Sequence, residues 1–314
     1  MAPSGEVGQK RPAAAAEEGS EADNKAAKHT AAAPCKFALH SGAFGNKGLK
    51  PALEDVELQI PDLGEHSGQA CLSRAAGVRA AFYAVFDGHA GKNAADFCAE
   101  HMANIIAAKI EKPLDNENVR AAIREGFKET DKQFLKLAAE KEWKDGCTAV
   151  TATIINDVCF MSWVGDSKAI LVRRETDAPD SKLKILELTK DHTCMMAKER
   201  ERITKAGGFI QDNRVNGIME VTRSIGDPAL KGKGVISVPE MQRVTLCERD
   251  EFLLLACDGL WAVFDPKDAC QKAFDMLKEG TEPQAVALNL VREGIRTRQA
   301  HDNVSAMIIR VRPL

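Results

Sequence analysis

Ala80-Ala81-Phe82-Tyr83-Ala84-Val85-Phe86-Asp87-Gly88-His89-Ala90-Gly91 is an apolar run that stops on an acid, a glycine and a histidine. Apolar residues without helical spacing predict a buried strand, and Gly88 and Gly91 mark the turn that ends it. The same design recurs where Phe252-Leu253-Leu254-Leu255 runs into Ala256-Cys257-Asp258-Gly259. Two acids delivered to strand ends by a rigid core point to a metal site, because an ionised carboxylate is kept at a buried place only when a cation or hydrogen bonds compensate it. One Asp-Gly alone reads more readily as a turn; the repetition weakens that reading.

Outward from that strand, Glu54-Asp55-Val56-Glu57-Leu58-Gln59-Ile60 alternates polar and apolar residues, the pattern of a half-buried strand with Glu54 and Asp55 at its start. Cys98, Met102, Ile105, Ile106 and Ile110 trace one helix face, and Val119, Ile123, Phe127, Phe134 and Leu137 trace another. The two helices are expected to cover one face of a sheet. Residues 146–189 read as three or four strands in succession, at 148–155, 158–164, 169–173 and 183–188, which predicts an antiparallel meander with a turn at Gly165-Asp166. A polar helix is expected at 197–206, and Arg223-Ser224-Ile225-Gly226-Asp227 through Lys233 reads as an irregular surface segment. The sheet resumes at 244–246 and 252–257. Asp265-Pro266 starts a helix that Gly280 ends, and Thr281-Glu282-Pro283-Gln284 has capping-box spacing for the next. A last buried strand is expected at 304–311, entered through His301-Asp302-Asn303. Consecutive strands without crossover helices argue for an α+β fold, with two antiparallel β-sheets packed as a central β-sandwich flanked by helical layers.

Composition bounds what such a fold does. The chain has 314 residues, 44% of them hydrophobic, ample for one large core. Forty-six acidic residues against 43 basic ones leave a net charge of -3, so no global field favours nucleic acid or an anionic membrane. Nine cysteines occur without a CxxC pair, which points to a reducing compartment and, with no apolar leader and no stretch long enough to span a bilayer, to cytoplasm or nucleus. Residues 1–34 are alanine-rich, scattered with charge and poor in large apolar side chains; they read as a disordered tail before a single domain at 35–314.

The acids expected at strand ends are Glu54, Asp55, Asp87, Asp166, Asp258 and Asp302. Carboxylates, backbone carbonyls and water are the ligands of hard cations such as Mg2+ and Mn2+, and Asp87-Gly88 offers a carboxylate and a carbonyl side by side. Neither His nor Cys clusters with zinc spacing.

These stretches resemble the metal-dependent serine/threonine protein phosphatases of type 2C. The matching motifs run in order along residues 37–312: Leu53-Glu54-Asp55, Phe86-Asp87-Gly88-His89-Ala90-Gly91, Gly146-Cys147-Thr148-Ala149, Val164-Gly165-Asp166-Ser167-Lys168-Ala169, Lys190-Asp191-His192, Ala206-Gly207-Gly208, Arg223-Ser224-Ile225-Gly226-Asp227, Ala256-Cys257-Asp258-Gly259-Leu260-Trp261 and Asp302-Asn303-Val304-Ser305. The runs 220–227 and 253–264 resemble the integrin-linked-kinase-associated branch. The resemblance implies a phosphatase of phosphoserine and phosphothreonine in proteins, using two Mn2+ or Mg2+ ions and a bridging water, with no phosphoenzyme. It implies that Asp87 bridges the ions, that Asp258 and Asp302 complete one, and that Glu54 and the Gly88 carbonyl complete the other. Asp55 would hold metal-bound water, and Asp166 with Asp258 would hold a weaker third ion. His89 takes the place of the general acid, and Lys50 that of a phosphate-binding arginine.

Phosphate-monoester hydrolysis needs a nucleophile at neutral pH, charge neutralisation on the phosphoryl oxygens and a proton for the leaving alkoxide, and these residue types can supply all three. Three departures from the family stand out. Lys50 is a point charge where arginine would offer a fork, Ala90 replaces a glycine, and Ala262 stands where many members carry an acid, which leaves the third ion open. Cys257 reads as a buried strand cysteine, not a nucleophile. The partners expected are phosphoprotein substrates, with no nucleic acid, no membrane and a monomeric chain. The alternative of an inactive scaffold predicts lost metal acids, whereas Asp87, Asp258 and Asp302 are all present.

Overall fold

The chain's first described strand runs through a glycine-rich stretch that includes Gly42 and Gly45. In the computed structural model, which describes residues 35–178 and 180–314, β1 (Phe37–Asn46) pairs antiparallel with the last strand of the chain from Phe37↔Pro313 to Asn46↔Val304. The disordered tail expected at 1–34 lies outside the described residues. Gly42 is required by close approach: a Cβ there would fall 2.1 Å from the backbone nitrogen of Gln284. Gln284 clasps the strand at the next residue, accepting from Ala43 N at 3.1 Å and donating to Ala43 O at 2.7 Å. That engagement also corrects the expected capping box, because the helix starting at Pro283 has Glu282 at its N-cap and no side-chain cap bond.

From β2 (Val56–Ile60) the chain passes through α1 (Leu63–Ser67) into β3 (Ala80–Phe86) and the two-residue β4 (Gly88–His89). The helices α2 (Asn93–Lys109) and α3 (Asn116–Lys141) follow, then β5 (Gly146–Cys147), β6 (Ala149–Ile155) and β7 (Val158–Val164). Next come β8 (Lys168–Arg174), β9 (Leu183–Glu187), α4 (Ala197–Lys205), and the short β10 (Ile210–Gln211), β11 (Arg214–Val215) and β12 (Ile225–Gly226). The chain ends with α5 (Pro228–Lys231), β13 (Glu240–Thr245), β14 (Asp250–Ala256), α6 (Asp258–Trp261), α7 (Pro266–Lys278), α8 (Pro283–Arg296) and β15 (Val304–Pro313).

Two five-stranded antiparallel sheets result, ordered β1-β15-β14-β8-β9 and β13-β7-β6-β3-β2. β3 explains its own apolar run: Phe82, Ala84 and Phe86 pack toward α2 and α3, while Ala81, Tyr83 and Val85 pack toward the other sheet. β14 does the same, with Phe252 and Leu254 under α7 and α8 and Leu253 and Leu255 between the sheets. A strand covered on both faces has no polar side to show, which is why its sequence does not alternate.

The expected meander is corrected at Gly165-Asp166. β6 and β7 pair, but β8 pairs with β14 and β9, so the Gly165 turn carries the chain from one sheet to the other. The expected surface segment after Arg223 is also corrected. Ser224 and Ile225 are fully buried, and Asp227 and Leu230 nearly so, because β12 joins a small sheet with β5 and β4.

Candidate metal centre

The loops at one end of the sandwich converge on an open cavity of about 440 Å³. Lys50, Glu54, Asp87, Gly88, His89, Asp166, Asp258 and Asp302 all line it, so the structure gathers the predicted site residues although they span the sequence. Asp87 follows β3, Asp166 lies in the crossing between sheets, Asp258 opens α6 and Asp302 precedes β15. Asp55 lies deeper, 2% exposed at the start of β2.

Asp87, Asp166 and Asp258 bring carboxylate oxygens within 4.8 Å of one another, and Asp87 also belongs to a second such group with Asp55 and Cys257. Glu54 and Asp302 line the cavity outside both groups. Asp302 uses Oδ1 for the Lys50 ammonium at 3.0 Å and for the Asn303 backbone N–H at 2.7 Å, which leaves Oδ2 free of both. Glu54 is placed by its backbone: its N–H donates to Asn303 Oδ1 at 2.7 Å, and Gly88 packs so closely on its carbonyl that a Cβ would fall 2.5 Å away.

Electrostatics sets this cluster apart. Burial pushes the Asp87 pKa well up, and the charges of Asp55, Asp258 and Asp166 push it further. Burial likewise lifts Asp55 and Asp166 to about 7 and raises Asp258. Both oxygens of Asp55 are buried without a hydrogen-bond partner. Carboxylates crowded together, of which Asp302 alone is paired with a lysine among the described residues, fit a divalent cation: the donors are oxygens and the missing component is positive charge.

Beside the acids stands a histidine–aspartate pair. The strand order β12-β5-β4 aligns Gly88 with Cys147 and Ile225 with Cys147 from opposite sides, which carries Asp227 to His89. His89 Nε2 lies 2.9 Å from both carboxylate oxygens of Asp227. Gly146 permits this, because a Cβ there would fall 2.2 Å from Asp227 Oδ2. Asp227 is held in turn by Ser224 Oγ, which donates to Oδ2 at 2.6 Å, and by its own N–H, which donates to Asp145 O. Burial works to lower the His89 pKa, but the hydrogen bond and charge of Asp227 outweigh it and the pKa is raised.

Sequence reasoning missed three residues here. Asp227 lies in a motif already singled out, Arg223-Ser224-Ile225-Gly226-Asp227, but nothing local places it opposite His89. Asn303 was likewise noted without a role; its side chain also donates to Lys47 O and Ala52 O, so it ties down the loop that carries Lys50 and Glu54. Lys144 lines the cavity and, among the described residues, has no ion-pair partner; a lone lysine leaves no sequence signal.

The family model for protein phosphatase 2C matches residues 41–304. The chain belongs to the protein phosphatase 2C family. That membership makes it a protein-serine/threonine phosphatase by class. A probable protein phosphatase 2C 8 of Arabidopsis thaliana is 36% identical over 87% of this chain and 79% of its own length. The human integrin-linked kinase-associated serine/threonine phosphatase 2C is 34% identical over 88% of this chain and 73% of its own. The similarity therefore extends to that branch and to plant members alike. Among solved structures, a Caenorhabditis elegans sex determining protein superposes with a TM-score of 0.75 at 24% identity, over 88% of this chain and 65% of that one. A serine-threonine phosphatase 2C from Toxoplasma gondii gives 0.70 at 20% identity, over 89% and 98%. At those identities the superpositions establish the fold, the α+β sandwich expected from sequence.

Proposed function

We propose that the cavity hydrolyses phosphoserine and phosphothreonine side chains of proteins with two Mn2+ or Mg2+ ions held around Asp87. The observation that carries this reading is the membership of Asp87 in both groups of converging ligand atoms, amid negative charge that no protein group balances. Asp258 and the free Oδ2 of Asp302 would complete one position, and Glu54 with the Gly88 carbonyl the other; Asp55 would hold water behind them, and Asp166 with Asp258 would hold a weaker third ion. When bound, the cations would supply the Lewis acidity that makes water nucleophilic at neutral pH and balances charge on the phosphoryl oxygens.

The protein's own groups handle orientation and the proton. Lys50 Nζ stays at the cavity while anchored on Asp302 Oδ1, within reach of a phosphoryl oxygen. His89 donates Nε2–H to Asp227, and this leaves Nδ1–H of the imidazolium to protonate the departing serine or threonine oxygen. Asp227 thus both orients the ring and favours its acid form.

The test is turnover of a phosphopeptide by the full chain with Mn2+, with chelator, and with Mn2+ restored. Activity that is lost and regained with the metal is expected. A Mn2+-saturated protein with no turnover on a panel of phosphoserine and phosphothreonine peptides would instead identify a scaffold.

A further inference from the structure

The metal centre lies where β15 begins; the far end of the same strand gathers cations. Arg310 and Arg312 stand beyond Ala306 and Ile308, on the strand face that those two residues bury under α7 and α8. The stretch from Val304 to Arg310 spans roughly 20 Å of extended chain, which keeps both arginines away from the acids at the start of the strand. They separate two open cavities, of about 420 Å³ and 270 Å³, and line both. Arg174 and Lys278 also line the larger one, but each is engaged, Arg174 by Glu251 at 2.7 Å and Lys278 by Asp180 at 3.4 Å. Among the described residues neither Arg310 nor Arg312 has an ion-pair or side-chain hydrogen-bond partner. Arg310 is half-buried, and burial together with the charge of Arg312 holds its pKa below the usual arginine value, with only partial compensation from Glu251 and Glu282.

We propose that the groove over Arg310 and Arg312 is a docking site for an extended acidic segment of a partner protein, with carboxylates at alternate positions. Side chains two apart on a strand leave the same face roughly 7 Å from each other, and alternate side chains of an extended peptide share that spacing, so successive acids meet one guanidinium each. Each fork can hold its carboxylate with two parallel hydrogen bonds, which a lysine could not. Phe274 and Leu277 in the wall of the larger cavity give an apolar side chain of the same segment a place to lie. Other polyanions fit less well. Glu251 lines one cavity and Glu282 the other, so a phosphodiester chain would set a charge against them at every step, and a flat anionic bilayer cannot enter the recess that holds Arg310. Docking here does not depend on the proposed hydrolysis, since an occupant at this end of β15 leaves the cleft at the other end open.

A fluorescein-labelled peptide of alternating glutamate and leucine is titrated with the full chain at physiological salt while its anisotropy is followed, beside a control peptide with glutamine for glutamate. Saturable binding of the acidic peptide alone is expected, weakened at least about tenfold in the double variant Arg310→Gln/Arg312→Gln. Lys132→Glu/Lys136→Glu removes more positive charge, but from exposed positions on α3 in the opposite helical layer, and should change affinity by less than about twofold. Equal weakening in the two variants would reduce binding to net charge and overturn the site. Isotope-labelled unaltered protein keeps the test independent of how the variants fold: peptide-induced amide shifts at 310–312 and 274–280 are expected, and shifts confined to the metal cleft refute the proposal. Phosphatidylserine vesicles that bind through the same arginines when the peptide does not would also overturn it.

Discussion

Glu199 and Asp87 are both carboxylates drawn out of water, and the molecule treats them in opposite ways. Glu199, 2% exposed on α4, accepts from Arg223 Nη2 at 2.7 Å and Nε at 3.0 Å, from Arg202, and from Thr222 Oγ1 at 2.6 Å. Burial alone would raise its pKa, but the hydrogen bonds of Arg223 and Thr222 and the charges of the two arginines bring it down to about 2. Asp87 has no guanidinium and three acidic neighbours, and its pKa is driven up. A chain able to surround one buried acid with two arginines has the means to do so elsewhere. Where it gathers acids without them, it leaves room for positive charge from solution.

Exchanging charge for neutrality at each centre gives the largest contrast. Asp87→Asn is expected to abolish phosphopeptide turnover and the calorimetric signature of Mn2+ binding, yet to raise the thermal midpoint of metal-free protein by removing an unbalanced charge. A lowered midpoint together with intact Mn2+ binding would erase the distinction. Glu199→Gln works the other way: it leaves two arginines facing a neutral group and costs about 3–5 kcal/mol at neutral pH, the usual scale for breaking a buried ion pair. Because the Glu199 pKa is depressed in the fold, its contribution is present above the ordinary value of 4.5 and is lost as pH falls toward about 2. Urea denaturation of wild type and variant should therefore converge across that window; a constant gap would mean that the effect is not electrostatic.

Smaller effects sharpen the picture inside the cavity. His89→Ala should slow phosphopeptide hydrolysis by about 10²-fold but affect p-nitrophenyl phosphate less, since a good leaving group hardly needs an acid; equal losses on both would remove His89 from that role. Lys50→Ala should raise KM more than it lowers kcat, by about 1 kcal/mol, because its charge meets substrate and transition state alike. Unaltered steady-state constants would assign Lys50 to Asp302 alone.

What could be read from sequence was whatever one element determines by itself. β3 and β14 announced themselves because both faces are buried, and their terminal acids followed. β1 did not, because Gly42 and Gly45 look like loop residues until the backbone of α8 and the Glu57 side chain are seen against them. The step at Gly165 looked like a hairpin because the true partner of β8 is β14, a pairing of Leu171 with Leu253 that no local pattern encodes. The same holds in the site. Acids at strand ends were legible one by one, whereas the His89–Asp227 contact depends on three two-residue strands lying side by side, too short to leave a periodic signal.

The pairing of β1 with β15 also sets a timetable for synthesis. β1 leaves the ribosome first among the described strands, and its sole neighbour in the sheet is the last to be made. The loop after β1, which carries Lys50 and Glu54, is tied down by Asn303 at the threshold of that same final strand. Contacts so distant along the chain close late. A nascent chain therefore carries an unfinished cleft until β15 emerges, and it cannot begin to strip phosphate from its surroundings before that strand has been made.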